Sequence, residues 1–555
     1  MVKKSLGKIE IPETNNKHYN DELFVFVDEK NYKEVIRDFC QEVVISTLFG
    51  EEKVEANWVM NYVSELEHIL LQIRLPFTIV QESYHIDPSF RDSYYKYFSN
   101  QHFDIKRFTK RLSFFSIQIT EDDFFTTDDN KFKRIAKSFM GASVINPIPT
   151  GLIGRTLFNP KFLIKKEKMR AYIRLSKFKL HVLGKKIEVD AFPFRMQDGE
   201  TMRCAEVTLL NILEYFSNSY PDYRTVYPSD ILDSEKRYSH ERVLPSRGVT
   251  YPILTKILSE FGFAPRLYSF SSIERFSLSK MNPEDELKRL LHYYIESGFP
   301  VALNLSPVGR NGSGHSVVCI GHGKIEASHV QKAIRNKWIP WKHKESCHPI
   351  INSADFFEDY IVVDDNQPIY QIRPFQKLSV YPDMRVEYIA VPLYKRMFLD
   401  ASDAAAVVRS VLHHEHFGID VWAGEFLKPN EDVVIRLFMA SSRSFKEYRS
   451  NSLCNRIARE VYASIPMPRF IWICELYRMD DYFQSKAFGE IVIDATAALG
   501  TGHSVQNIIL MHYPGVLCMR SPEQSKPEFE DMLELKNDEL FEGYKKNLSI
   551  INPSE

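Results

Sequence analysis

The chain has 555 residues, with 71 Lys and Arg against 73 Asp and Glu and a formal net charge of −2. That balance excludes a global field able to gather nucleic acid or an anionic lipid surface. Apolar residues at 44% and charged residues at 26% exclude a disordered chain, and the length predicts about three domains at roughly 100–200 residues each.

The N-terminal MVKKSLGKIEIPETNN starts basic, but Glu10 and Glu13 interrupt any apolar run of secretory-signal length, so export by that route is not expected. No run of about 18 uncharged apolar residues occurs, so no membrane association is expected. The seven cysteines, Cys40, Cys204, Cys319, Cys347, Cys454, Cys474 and Cys518, are odd in number and scattered. They predict a reducing, cytoplasmic setting in which most thiols are buried small hydrophobes.

Residues 31–49 and 57–75 carry apolar positions at helical spacing, as in Val59, Val63, Leu66 and Leu70, and predict two helices. The acidic ITEDDFFTTDDN at 119–130 predicts a solvated loop. Residues 165–180 alternate imperfectly and meet HVLGKKIEV across a Gly-containing turn, which predicts a β-hairpin. Basic and aromatic residues interleave there. Alternation of that kind is what an exposed strand face shows, and no nucleic-acid contact is expected.

The middle of the chain opens with a helix that begins at Cys204, in CAEVTLLNILEYF. Two more helices, in TYPILTKILSEFG and EDELKRLLHYYIESG, stop at Gly262 and Gly298, where left-handed caps suit them. Strands FPVALNL, HSVVCIG and YIVVDDN follow, interrupted by the loop SPVGRNGSG and a long insertion at 324–358. Past residue 398, helices (ASDAAAVVRSVLHHEHF, CNRIAREVYASI) mix with strands (DVVIRLFMA, RFIWICEL, GEIVIDA, NIILMHY), and a polar tail after 520 is expected to be peripheral.

A thiol attacks only as thiolate, and a free thiol has a pKa of about 8.5. A helix N-terminus beside Cys204 and an imidazolium would both favour the thiolate. His315 is the candidate imidazole, because GSGHSVV seats it at the start of an apolar strand. A carboxylate or amide must orient that ring. Asp364, directly after the apolar strand, is the first choice, and Asp365 and Asn366 are alternatives, since strand alternation flips the face at each residue. Gln197 and the Cys204 backbone N–H are the candidate oxyanion donors.

Other signals point elsewhere. The string GTGHSV at 500–505 nearly repeats GSGHSV at 312–317 and makes His503 a rival base, but no comparable acid follows it. His413, His414, Glu415 and His416 lack the HExxH spacing, and Cys347-His348 lacks a second ligand pair, so no metal site is expected. No Walker-type loop occurs.

Taken in order, PFRMQDGETMRCAEVTLLN, a helix ending EFGF, YIESGFPVALNL, GSGHSVVCIGH and YIVVDDNQ resemble a papain-like cysteine peptidase. The likeness is greatest to the branch of bacteriocin leader peptidases, the double-glycine peptidase-like enzymes. There a Gln-Asp pair precedes the Cys, Gly-His opens a strand, and an Asp follows a later strand. The resemblance covers only the middle of the chain. It implies Cys204 as nucleophile, His315 as base, Asp364 as orienting acid and Gln197 as oxyanion donor, with no cofactor. It also implies a peptide or protein substrate cleaved through a thioester. The Pro that often follows the Asp in that branch is replaced by Asp365.

The expected architecture is a multidomain α+β protein. Residues 1–180 would form a mixed, helix-rich domain, 181–398 a papain-like domain with a helical lobe and an antiparallel β lobe, and 399–555 an α/β domain. A protein partner could dock through either outer domain. The same scaffold would also serve an acyltransferase or transglutaminase-like enzyme, or an inactive protein-interaction scaffold.

Overall fold

The computed structural model describes residues 24–49, 59–102, 104–163, 170–276, 281–309, 313–335, 337, 348–412, 414–499, 504–520, 531–536 and 539–552. His413, Cys347 and His503 lie outside the described residues. The chain is α+β and divides into two compact units, Met1–Lys165 with Lys177–Asp198, and Lys166–Ser176 with Gly199–Glu555. The boundary expected between 180 and 181 falls inside a strand, Ser176–Val182, and the one between 398 and 399 falls inside the second unit. No described helix is long and apolar enough to cross a membrane.

The first unit is built on an antiparallel sheet in the order Phe24–Val27, Phe77–His85, Thr109–Phe115, Phe139–Ile145 and Ile153–Phe158. The two helices foreseen from apolar spacing run over Tyr32–Leu48 and Val59–Leu70. Ile36, Phe39, Cys40, Val43, Val44 and Thr47 fall on one buried stripe of the first helix. A hairpin of Ser176–Val182 and Lys185–Ala191 buries alternate residues. Its turn is Leu183-Gly184, both at positive φ, as a two-residue turn matched to strand twist requires. The inward Phe178, Leu180, Val182, Ile187 and Val189 share a core with Phe115, Phe124 and Phe139.

Two sequence expectations change here. Residues 119–130 are not a plain loop: Thr120 and Asp123 form a reciprocal capping box that starts the helix Glu121–Phe124, and Asp128 caps Asp129–Lys137. Phe124 is buried. The expected single hairpin also breaks in two, because Ala171–Ile173 is a separate strand that joins the second unit.

That unit holds two large sheets, besides the short pairing of Lys486–Ala487 with Phe541–Glu542. One is antiparallel, in the order Gln371–Pro374, Asp359–Val363, His315–His322, Val301–Pro307, Met384–Val391 and Arg266–Ser269. Ala171–Ile173 pairs with the far end of His315–His322 and with Ser549–Ile551. The other runs Ile350–Asn352, Val433–Ser441, Phe470–Arg478, Gly489–Asp494, Ile508–Tyr513, Val516–Met519 and Asp531–Glu534, antiparallel except for its first pair. The insertion 324–358 supplies that first strand and the helix Ala327–Arg335, whose Val330 and Ala333 share a core with Val434 and Phe438.

The tail is not peripheral. Phe541 and Tyr544 are buried, and the Asn547 side chain donates to the carbonyls of Glu296 and Met439. Gly298 fits there because a Cβ would come within 2.9 Å of the Asn547 carbonyl oxygen. Polar composition misled the sequence reading: the tail uses its backbone and a few aromatics, not a long apolar run.

Charges are buried in this unit too. Arg449 is fully buried and donates to Glu475 at 2.6 Å and to Glu490 at 2.6 Å. Replacing it with Ala takes the arginine from buried Glu490 and leaves Glu475 with Arg436 alone. Arg449→Ala should cost about 3–5 kcal/mol, read as a lower urea midpoint. Arg456→Ala, which breaks the exposed pair with Glu460, should leave the midpoint unmoved.

Candidate active site

Cys204 is the first residue of the helix Cys204–Ser219, and the run Ala205 to Leu213 that follows it is buried throughout. The preceding loop turns at Gly199, with φ of 73°, whose N–H donates to the Met202 carbonyl at 3.0 Å. Arg203 is extended and donates through its side chain to the Ser246 carbonyl at 2.7 Å. The helix therefore starts at the sulfur-bearing residue, where first-turn N–H groups have no intrahelical acceptor and carry partial positive charge.

Cys40, Cys319, Cys474 and Cys518 are buried, Cys454 is exposed and Cys204 is partly open, the one described cysteine that is both reachable and beside an imidazole. Burial pushes the Cys319 thiol up to about 12 and the Cys518 thiol up to about 11, which leaves both inert near neutrality.

His315 opens the strand His315–His322, every residue of which is buried. It pairs in register with Leu305. Gly314 precedes it because a Cβ there would sit 3.1 Å from the Asn304 side-chain nitrogen and 3.2 Å from the Leu305 carbonyl oxygen. On the other side the strand pairs with Asp359–Val363, and Asp364 leaves the end of that strand. His315 Nε2 lies 2.9 Å from Asp364 Oδ1. The same oxygen accepts the Asn366 N–H at 3.0 Å, so the carboxylate is held by its own turn.

The Cys204 side chain lies next to the same ring and favours its charged form. With Nε2 committed to Asp364, Nδ1 is the nitrogen left for sulfur. Burial disfavours a charged imidazole, but the hydrogen bond to Asp364, the adjacent Cys204 side chain and the charges of Asp364 and Asp365 outweigh it and raise His315 to about 10. A sulfur, an imidazole and a carboxylate thus gather in one cluster, with the carboxylate bonded to the ring. Such a cluster can carry a thiolate–imidazolium pair.

The three acidic or amide candidates separate clearly. Asp364 holds the ring, Asp365 Oδ1 stands 3.9 Å from Nε2, and the Asn366 side chain donates to the Tyr381 hydroxyl at 3.3 Å. Gln197 belongs to the first unit, where its backbone runs against Gly151. Donor atoms of His315, Asp364 and Asp365 lie within 4.8 Å of one another. As arranged, however, Nε2 is engaged by Asp364, and a cation at this cluster would displace that bond.

Three neighbours escaped the sequence reading. Tyr381 meets His315 edge-on, with ring centroids 5.2 Å apart. The Tyr251 hydroxyl bonds Ser316 Oγ at 2.7 Å, and its ring stacks on Tyr388. Glu206, fully buried beside the sulfur-bearing turn, accepts from the Ser246 hydroxyl. None carries a spacing signal, because each meets the site only through tertiary packing.

A His raised in the folded state stabilises fully below its unfolded value near 6.5, and the contribution is lost as pH rises through about 10. Asp364→Asn should therefore cost on the order of 2 kcal/mol at pH 6. In melts at stepped pH, the deficit should shrink toward pH 10. No protein-family model matches the sequence, and no curated protein does, so the chemistry of the site is argued from its own geometry.

Proposed function

We propose that the chain is a cysteine peptidase that hydrolyses a peptide or isopeptide amide of a protein or peptide substrate in the cytoplasm. One observation carries this reading: Cys204, partly open at a helix N-terminus, sits beside the imidazole of His315, which is bonded to buried Asp364. The likeness of the flanking motifs to papain-like enzymes supports it. Free thiols at all six described cysteines fit a reducing compartment.

In the proposed reaction the Cys204 thiolate attacks the amide carbonyl carbon, and the new oxyanion is met by the Cys204 N–H at the helix end. The His315 imidazolium gives its proton to the leaving amine as the C–N bond breaks, leaving a thioester. Neutral His315 then takes a proton from water, the hydroxide adds to the thioester carbonyl, and the C–S bond breaks to release the acid and restore the thiolate–imidazolium pair. Asp364 fixes the ring throughout.

Cys204→Ala should melt within a degree or two of the natural chain, yet lose both cleavage of a peptide library and labelling of the Cys204 peptide by iodoacetamide. His315→Ala should lower cleavage about a thousandfold or more. Cleavage that survives in Cys204→Ala refutes the proposal.

A further inference from the structure

Asp365 stands beside the His315 ring without a part in holding it. Its side chain is 5% exposed, and among the described residues no other residue gives either carboxylate oxygen a hydrogen bond. A buried ionised carboxylate in that state is costly, and such a group keeps its proton until the surrounding charge repels it less. Four titratable groups face it: His315 from the neighbouring strand, Asp364 beside it, Glu206 from the Cys204 helix, and Tyr381 from the loop after Ser379. Only His315 among them brings positive charge. Glu206 in turn faces buried Glu235.

We propose that Asp365 is a positioning residue of the same site: a carboxyl that is protonated in the resting pair and, on losing that proton to water, sets a second negative charge beside His315 and makes the Cys204 sulfur more basic and more nucleophilic. This rests on the thiolate–imidazolium reading of the site. Burial first, opposed by the charge of His315 and reinforced by those of Asp364 and Glu206, holds the Asp365 carboxyl at about 7. Its ionisation therefore falls in the working range. The extra charge acts at 3.9 Å from Nε2, on the ring that Asp364 orients. A rise of about one unit in thiol basicity, with a Brønsted coefficient of about 0.4–0.5, multiplies thiolate reactivity about threefold.

The test is the pH dependence of iodoacetamide alkylation in the full chain, followed at the Cys204 peptide by mass spectrometry, for the natural chain and Asp365→Asn. Asn is isosteric with the protonated acid and should keep the fold. The natural chain should show a rise in the acid range and a second, about threefold, near pH 7. Asp365→Asn should keep the first rise and lack the second. A melt provides an independent reading: a carboxyl raised in the folded state costs stability increasingly as pH climbs from about 4 to about 7. Asp365→Asn should therefore melt above the natural chain at pH 8, with a smaller gap at pH 5. If both profiles keep the acid-range rise and superpose, this inference falls and the reading of the site stands. If the natural Cys204 shows only one inflection near that of an ordinary thiol, about 8.5, the reading of the site falls and this inference with it.

Discussion

A chain of buried charges ties the two sheets of the second unit together, and the position of the candidate imidazole depends on it. Arg449 joins Glu475 to Glu490, Arg436 joins Glu475 to Glu296, and Glu296 holds His322 Nε2 at 2.7 Å. Glu296 ends the helix Pro283–Glu296, where the macrodipole repels a carboxylate. Burial would also raise its pKa, yet the charge of Arg436 and the bond to His322 hold it well below the carboxylate range. Any one of these ions alone would be badly destabilised in the interior. Together they fix a geometry, because each has its partner in only one relative placement of sheet and helix.

His322 ends the strand that His315 begins. That strand is held at one end by Glu296 and at the other by Asp364, with apolar residues between. The imidazole at its head is therefore mounted on a rod anchored far from the chemistry. Cys204 is presented differently, from a helix whose whole first turn and a half is buried while its leading sulfur is partly open. Rigid mounts on both sides are what holding a thiol beside an imidazole requires.

Much of this was legible in the sequence where the determinants are local. The Cys204 helix, the His315 strand and the strand ahead of Asp364 follow from apolar periodicity and from Gly-containing punctuation. The choice among Asp364, Asp365 and Asn366 was not legible, because parity at a strand end is settled by the turn that follows, here the Asn366 N–H bonding back to Asp364. The capping box at Thr120 and Asp123 was written in the sequence, but the acidic composition around it suggested solvent. The buried charges were invisible for another reason. Arg449 and Glu490 lie far apart in the chain, and nothing local separates a charge that will find a buried partner from one that stays in water. The tail failed for the same reason, since Tyr544 is covered by elements remote from it, and its N–H donates to Glu475 at 2.7 Å.

The site itself carries an excess of acid. Asp364, Asp365, Glu206 and Glu235 are all buried, and His315 is the one cation among the groups that face Asp365. One imidazolium can offset one carboxylate well, and each further negative charge in a low-dielectric setting meets repulsion without compensation. Protons fill the difference: burial and the charge of Glu206 bring Glu235 to about 7, the same range as Asp365. A core designed for stability alone would replace such acids with apolar residues or supply a second cation. Keeping them buried costs stability and holds the imidazole positively charged beside the sulfur. That arrangement ties the charge on His315 to the proton occupancy of its neighbours.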